Sequence, residues 1–340
     1  MPQLRTDYTS RSVSLIPPNS GNPSADDSDE CNYCKGKESS TPPAELVLID
    51  RFGGIVKTSD SEEERQSDWV ARVFKSPRPI IFEDPSMGYS DEPLLAEPAT
   101  GSHYIVITSP KHEDAFHSAP VNQISNGLLA MQEQMKTLYQ GKGISYVAAY
   151  SNYRPGKGRA SHPQIELLSI NRIPPTIERE LEATDEVYNE LSLCPMCRIV
   201  NVETGGPRQI LSTDSYVAFV PWAPIHDMEF WIVPRKHQRS FLKMTQNQLK
   251  ELALMMRCTI GGLVKLKSNG LNYSVSFHTA PERKQQSQYH WHIEVHPSDR
   301  PLGALEAGFG VYVMDKPPEA AAEKLGRSSR REMAELLGVK

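Results

Sequence analysis

The sequence predicts an α+β protein built from two tandem units related by internal duplication, and three observations carry that prediction. Cys31 and Cys34 precede Cys194 and Cys197 by the same 163 residues. Lys111-His112-x-x-x-Phe116 recurs as Lys236-His237-x-x-x-Phe241, each time just after an apolar run and a proline. Strand and helix signals also follow one another in the same order in both halves. Residues 1–30 read as a flexible lead-in, 31–190 as the first unit, 191–325 as the second, and 326–340 as a solvated C-terminal helix or tail.

The elements are justified in chain order. Residues 12–30 are rich in Ser, Pro, Asn and Asp and predict a loosely ordered segment. Between 45 and 93, short apolar runs broken by acidic and proline-rich pieces predict short strands. Residues 104–107 are a β-branched strand, and 121–140 carry helical spacing through Ile124, Leu128, Leu129, Met131 and Met135. Strands follow at 144–150 and 165–170, and residues 177–191 predict a charged amphipathic helix. The second half repeats this with strands at 216–220 and 229–233, a helix over 246–266, and strands at 271–277 and 289–295.

The bulk numbers narrow the function. A chain of 340 residues that is 38% hydrophobic and 23% charged can bury a sizeable core, and a net charge of −5 gives no basic field to hold nucleic acid. No run approaches the roughly 18 consecutive apolar residues of a membrane helix. The N-terminus shows no apolar signal core, so a cytoplasmic location is expected. Five cysteines are too few for a disulfide scaffold, and in a reducing compartment paired cysteines more often hold metal.

A Cys-x-x-Cys turn supplies two soft ligands from one place, and zinc asks for two more. In the second half these are His237 and His290, which complete a set with Cys194 and Cys197. In the first half Cys31, Cys34 and His112 need a fourth partner, with His162 the candidate; His103 and His117 are alternatives to His112. A disulfide or redox pair is the competing reading of each turn. Cys258, inside an apolar helix, is read as a packed core thiol. The run Tyr289-His-Trp-His-Ile-Glu-Val-His296 alternates, placing His290, His292, Glu294 and His296 on one face of a strand. That face is either a solvated polar surface with one ligand or a site with His292 free as nucleophile or acid/base. An imidazole attacking phosphorus needs its other nitrogen held as a donor. The turns at Gly141-Lys-Gly143 and Pro155-Gly-Lys-Gly158 lack P-loop spacing. They read as surface turns, unless Lys157 or Arg159 neutralises a phosphate beside Ser161.

In this order, the strings Cys31-Asn-Tyr-Cys34, Ile107-Thr-Ser-Pro-Lys-His112, Ser161-His-Pro-Gln-Ile165, Phe277-His-Thr-Ala-Pro281 and His290-Trp-His-Ile-Glu294 resemble the galactose-1-phosphate uridylyltransferase-like branch of the histidine-triad superfamily. The resemblance implies two histidine-triad-like units, each an antiparallel sheet with flanking helices, zinc as the metal, and a homodimer. It also implies transfer of a nucleoside monophosphate between a nucleotide sugar and a sugar-1-phosphate through a nucleotidyl-histidine, as in galactose metabolism. A nucleotide-sugar or dinucleotide phosphorylase, or an inactive nucleotide-binding homologue, is the alternative. Asn152, Gln164, Asn272 and Glu294 are the expected substrate contacts. Such a family carries His-Pro-His-x-Gln on its first-half strand, with zinc ligand and nucleophile in that order. This chain has only His162-Pro163-Gln164. Aligned on His-x-Gln, His162 is the nucleophile; aligned on His-Pro, it is the zinc ligand and no nucleophile follows.

Overall fold

The computed structural model describes residues 2–10, 12–17, 31–83, 90–91, 93–155, 162–267, 270–283, 288–298 and 300–339. The first half contributes β1 (Gln3–Thr6), β2 (Val13–Ile16), β3 (Leu46–Arg51), β4 (Gly54–Thr58), β5 (Ala71–Lys75), β6 (Ser90–Asp91), β7 (Leu94–Pro98), β8 (Gly101–Ile107), α1 (Val121–Leu138), β9 (Tyr146–Tyr153), β10 (Gln164–Ile170) and α2 (Pro175–Leu191). The second contributes α3 (Pro195–Glu203), β11 (Gln209–Ser212), β12 (Tyr216–Phe219), β13 (Phe230–Pro234), α4 (Gln246–Leu266), β14 (Tyr273–His278), β15 (His292–Pro297), α5 (Ala304–Phe309) and α6 (Pro318–Leu337).

The duplicated α+β architecture is present, with one departure. Instead of two separate sheets, both halves share one eleven-stranded sheet in the order β11-β12-β13-β15-β14-β9-β10-β8-β5-β3-β4. Every pairing in it is antiparallel, and the joint is β9 against β14, with Val275 opposite Ser151 and Tyr273 opposite Tyr153. About that joint β10 corresponds to β15, β8 to β13 and α1 to α4. Edge pairing at the centre removes two exposed strand edges that separate sheets would have to protect.

Pattern explains which side each residue takes. On β15 and just before it, Trp291, Ile293 and Val295 enter the core shared by α1 and α4, each at most 1% exposed. Burial of such side chains contributes roughly 1.5–3 kcal/mol each. On β10, Ile165 and Leu167 enter the same core, so Gln164 and Glu166 face the opposite side with His292 and Glu294. Helix α4 begins with a full capping box, Thr245 and Gln248 exchanging side-chain-to-backbone bonds of 3.3 and 2.9 Å.

Two regions depart from expectation. The lead-in contains β1 and β2, which pair with each other, and β1 also pairs with β7 in a small second sheet; residues 18–30 lie outside the described ones. The C-terminal helix begins at Pro318 and is no solvated tail: Ala321, Ala322, Leu325, Ser329 and Glu332 are buried against the second unit, chiefly α4. Glu332 pairs with Arg257 at 2.5 Å and with Lys265. Its amphipathic charges had disguised that buried face. Among the described residues, no helix is long and apolar enough to cross a membrane.

His117 of the first half bonds the hydroxyl of Tyr273 of the second, Nδ1 to oxygen 3.1 Å, beside the joint. Burial, aided by the Arg257 guanidinium, holds its pKa down to about 4 from 6.5. The unfolded chain therefore binds the extra proton below about 6.5 while the folded one refuses it until about 4. Stability should fall as pH drops through that window, and denaturant titrations of His117→Gln should show a shallower loss there. The α4–α6 crossing gives a second test. A Cβ on Gly262 would lie 2.7 Å from the backbone nitrogen of Ser329, so Gly262→Ala should cost about 1–3 kcal/mol in the same titrations.

Candidate metal centres and nucleotide pocket

Each Cys-x-x-Cys turn is met by two imidazoles from segments adjoining distant strands. In the first unit the ligand-capable atoms of Cys31, Cys34, His112 and His162 all lie within 4.8 Å of one another. Cys34 Sγ is 3.5 Å from His112 Nδ1, and both thiols are 3.7 Å from His162 Nδ1. In the second unit, the matching set is Cys194, Cys197, His237 and His290, with Cys197 Sγ 3.5 and 3.6 Å from the two Nδ1 atoms. The imidazole pairs are disposed alike, ring centroids 5.3 Å apart in one set and 5.1 Å in the other. Duplication has preserved a site, not just a motif.

Local structure builds these turns. Cys194 caps the N-terminus of α3, so Cys197 sits in its first turn. The first turn is braced by Glu38, which accepts from Gly36 N at 3.0 Å and from Trp69 Nε1 at 2.7 Å. Below it Arg72, 3% exposed, pairs with Asp60 and donates to Thr41 at 3.2 Å. Without a cation two adjacent thiolates repel. Burial and Cys31 push Cys34 up to about 11, and burial and Cys194 push Cys197 up to about 12. Cys194 itself is lowered to about 5: burial opposes this, but His237 and His290 outweigh it. Such a donor set asks for a cation.

The placement of His162 bears on the ambiguity left by the sequence. Its Nδ1 faces both thiols, its Nε2 lies 2.7 Å from the carbonyl of Ser109, and it is 2% exposed. Both nitrogens are engaged, as in metal-binding histidines whose second nitrogen donates to a backbone carbonyl. The expectation of His162 as nucleophile does not fit this geometry; the alignment on His-Pro does. His103 and His117 stand elsewhere, bonded to Glu166 at 3.1 Å and to Tyr273. Cys258 is fully buried, and burial raises its pKa to about 11.

His292 lies in a third group that could hold a metal, with Glu180, His278 and Glu294. Its Nδ1 is 3.3 Å from the carbonyl of His290, while Nε2 is 3.6 Å from Glu294. Glu180, brought by α2, bonds His278 at 2.9 Å and accepts from Tyr289 at 2.5 Å. Glu294 also bonds His296 at 3.1 Å. Burial works against ionised Glu294, but His292 and His296 outweigh it and hold its pKa well below the usual carboxylate range. His296 is raised to about 9, since Glu229 and Glu294 outweigh its burial. Glu294 is thus spent on histidines, and two carboxylates beside His292 disfavour an approaching phosphate. The sequence reading missed Glu180, His278 and Glu229; His278 at the end of an alternating strand was the available signal.

The remaining predicted contacts separate. Asn152 and Gln164 line one pocket with Thr108, Phe116, Ser151, Tyr153, Pro163 and Tyr273, at the ends of β8, β9 and β10. Asn272 precedes β14 and uses its carbonyl to accept from Ser298 at 2.8 Å. Asn152 lies near the C-terminal end of β9 and Asn272 just before the N-terminal end of β14, so the two occupy different places in their halves. Residues 156–161, with Lys157, Arg159 and Ser161, lie outside the described ones.

No protein-family model matches the chain. It is 24% identical over 332 residues to ADP-glucose phosphorylase of Arabidopsis thaliana, covering 94% of this chain and 85% of that protein. It is 24% identical over 264 residues to galactose-1-phosphate uridylyltransferase of Thermotoga maritima, covering 74% and 83%. Among solved structures, a uridylyltransferase superposes with a TM-score of 0.81 at 22% identity, covering 97% of this chain and 99% of the other. The Arabidopsis thaliana ADP-glucose phosphorylase with bound ADP-glucose superposes with a TM-score of 0.72 at 21% identity, covering 96% and 98%. The relatives of this chain are galactose-1-phosphate uridylyltransferases and the uridylyltransferase-like ADP-glucose phosphorylase, and it shares their duplicated α+β fold.

Proposed function

We propose that the protein is a zinc-braced nucleotidyltransferase that acts on nucleotide sugars. The phosphates of the nucleotide sugar would lie against the small cleft of Asn152 and Gln164, and the acceptor would be a sugar-1-phosphate or phosphate. The observation that carries the reading is this pocket at the start of β10, set two residues from a histidine fixed in a cysteine–histidine quartet. Two groups of relatives named for nucleotide-sugar chemistry support it.

The donor sets fit zinc in particular. Zinc–sulfur bonds of about 2.3 Å and zinc–nitrogen bonds of about 2.0 Å at a tetrahedral angle put sulfur and nitrogen roughly 3.5 Å apart. The distances found are 3.5–3.7 Å. Held by Cys31, Cys34, His112 and His162, and by Cys194, Cys197, His237 and His290, zinc would supply cross-links and neutralise the paired thiolates rather than take part in the reaction. The protein's own groups do the recognition. His162 fixes the chain entering β10, and Ser151 donates to the Gln164 carbonyl at 2.7 Å, which locks β9 to β10 at the pocket. The Asn152 amide is then a neutral donor for phosphate and sugar oxygens, and the Gln164 amide, which also reaches the Glu166 carboxylate, joins it once substrate competes for its N–H.

Metal analysis of the purified chain should find zinc, with Cys34→Ser and Cys197→Ser each removing one ion and lowering the melting temperature. Unchanged zinc in either variant would remove its quartet from the account. For the pocket, calorimetric titration with UDP-glucose and ADP-glucose should show binding to wild type. Asn152→Ala should weaken it about tenfold, the size of one lost hydrogen bond of roughly 1.4 kcal/mol, without changing zinc content. Absence of both binding and turnover with either nucleotide sugar would contradict the proposed function.

A further inference from the structure

The equivalent faces of the corresponding strands β10 and β15 differ at one position. On the second-half face His290 enters a quartet, His292 stands two residues on, and Glu294 four residues on. On the first-half face, His162 enters a quartet, and the same offsets bring Gln164 and Glu166. Glu166 keeps the pattern, since it pairs with His103 as Glu294 pairs with neighbouring histidines. A glutamine therefore occupies, in the nucleotide pocket, the place that the other half gives to a histidine.

A transfer in two displacements needs a nucleophilic side chain in the pocket. Among the described residues lining it, the hydroxyls are Thr108, Ser151, Tyr153 and Tyr273. Ser151 donates to the Gln164 carbonyl at 2.7 Å and Thr108 to the Pro163 carbonyl at 3.3 Å. Neither has a base as partner. Burial raises the pKa of both tyrosines, so they stay neutral. His112 and His162 are engaged in the quartet, and His117 packs edge-on against Tyr153 at 4.8 Å with its Nδ1 on Tyr273. The side chain of Gln164 can donate or accept hydrogen bonds but cannot carry a nucleotidyl group at physiological pH.

We propose that transfer at this pocket is a single displacement inside a ternary complex, with Gln164 positioning the α-phosphate and no nucleotidyl–enzyme formed. The inference rests on the nucleotide-sugar reading above. An anionic phosphate oxygen of the acceptor attacks the α-phosphorus of the nucleotide sugar and forms the new phosphorus–oxygen bond. The bond from that phosphorus to the bridging oxygen breaks, and the sugar leaves as its 1-phosphate. The bridging electron pair goes with it, so no proton transfer or external reactant is required. One displacement inverts configuration at phosphorus; two would retain it.

The holoprotein is incubated with UDP-glucose or ADP-glucose carrying a radiolabelled α-phosphate, then denatured and assayed for protein-bound label that acid removes. Turnover with phosphate and galactose-1-phosphate is measured alongside, with product configuration read from a chiral α-thiophosphate substrate. The expected result is turnover with inversion and no label on wild type, and labelling of Gln164→His, which rebuilds the spacing of His290 and His292. Labelled wild type, on His117 or any other residue, or retention of configuration, would overturn the single displacement and leave the function standing. An unlabelled Gln164→His that still binds substrate would overturn the assignment of position 164. Loss of both binding and turnover in wild type would instead strike the nucleotide-sugar reading itself.

Discussion

One imidazole sets the terms for the rest of the molecule. His162 is held from both sides, by the thiols of Cys31 and Cys34 at 3.7 Å and by the Ser109 carbonyl at 2.7 Å. That clamp ties the N-terminal turn to the start of β10, the strand beside the central joint. Strand alternation then determines the direction of every later side chain on β10. Gln164 is thereby delivered to the pocket and Glu166 to His103. A ring engaged at both nitrogens has no lone pair to offer phosphorus, so the constraint that builds the pocket also limits its chemistry.

The second half applies the same constraint to a different outcome. His290 anchors β15 as His162 anchors the start of β10, and His292 follows at the position of Gln164. Its surroundings are acidic, with Glu294 3.6 Å away and Glu180 in the same four-membered group. Such a setting suits a bound cation or a buried ion network better than a phosphodiester anion. The two halves have thus come to differ at one position of the duplicated strand, one presenting a glutamine amide to the small pocket at the ends of β9 and β10 and the other a histidine among carboxylates.

Much of this was legible in the sequence because it is local. The helical spacing of Ile124, Leu128, Met131 and Met135 and the alternation from Tyr289 to His296 place those elements within a few residues of their observed bounds. Both Cys-x-x-Cys turns and their histidines could be paired because duplication supplied an internal comparison. What escaped depends on contacts between distant segments. The pairing of β9 with β14 leaves no mark on either strand, since Val275 and Ser151 suit an edge or a centre equally. Glu180 looks like any helical surface glutamate until α2 is laid across the sheet. The role of His162 was undecided because a missing residue permits two alignments; the shared glutamates, Glu166 and Glu294, were the signal that selects between them.

The central claim is that His162 belongs to the metal quartet and is unavailable to the substrate. Nitrogen-15 NMR of the imidazole rings in the zinc-loaded protein, with the His162 signals assigned by their loss in His162→Gln, tests this most directly. The account predicts a metal-bound Nδ1 and a protonated Nε2 that do not change across neutral pH. A His162 ring that titrates freely near pH 6.5, or one perturbed directly by nucleotide-sugar phosphate, would contradict it.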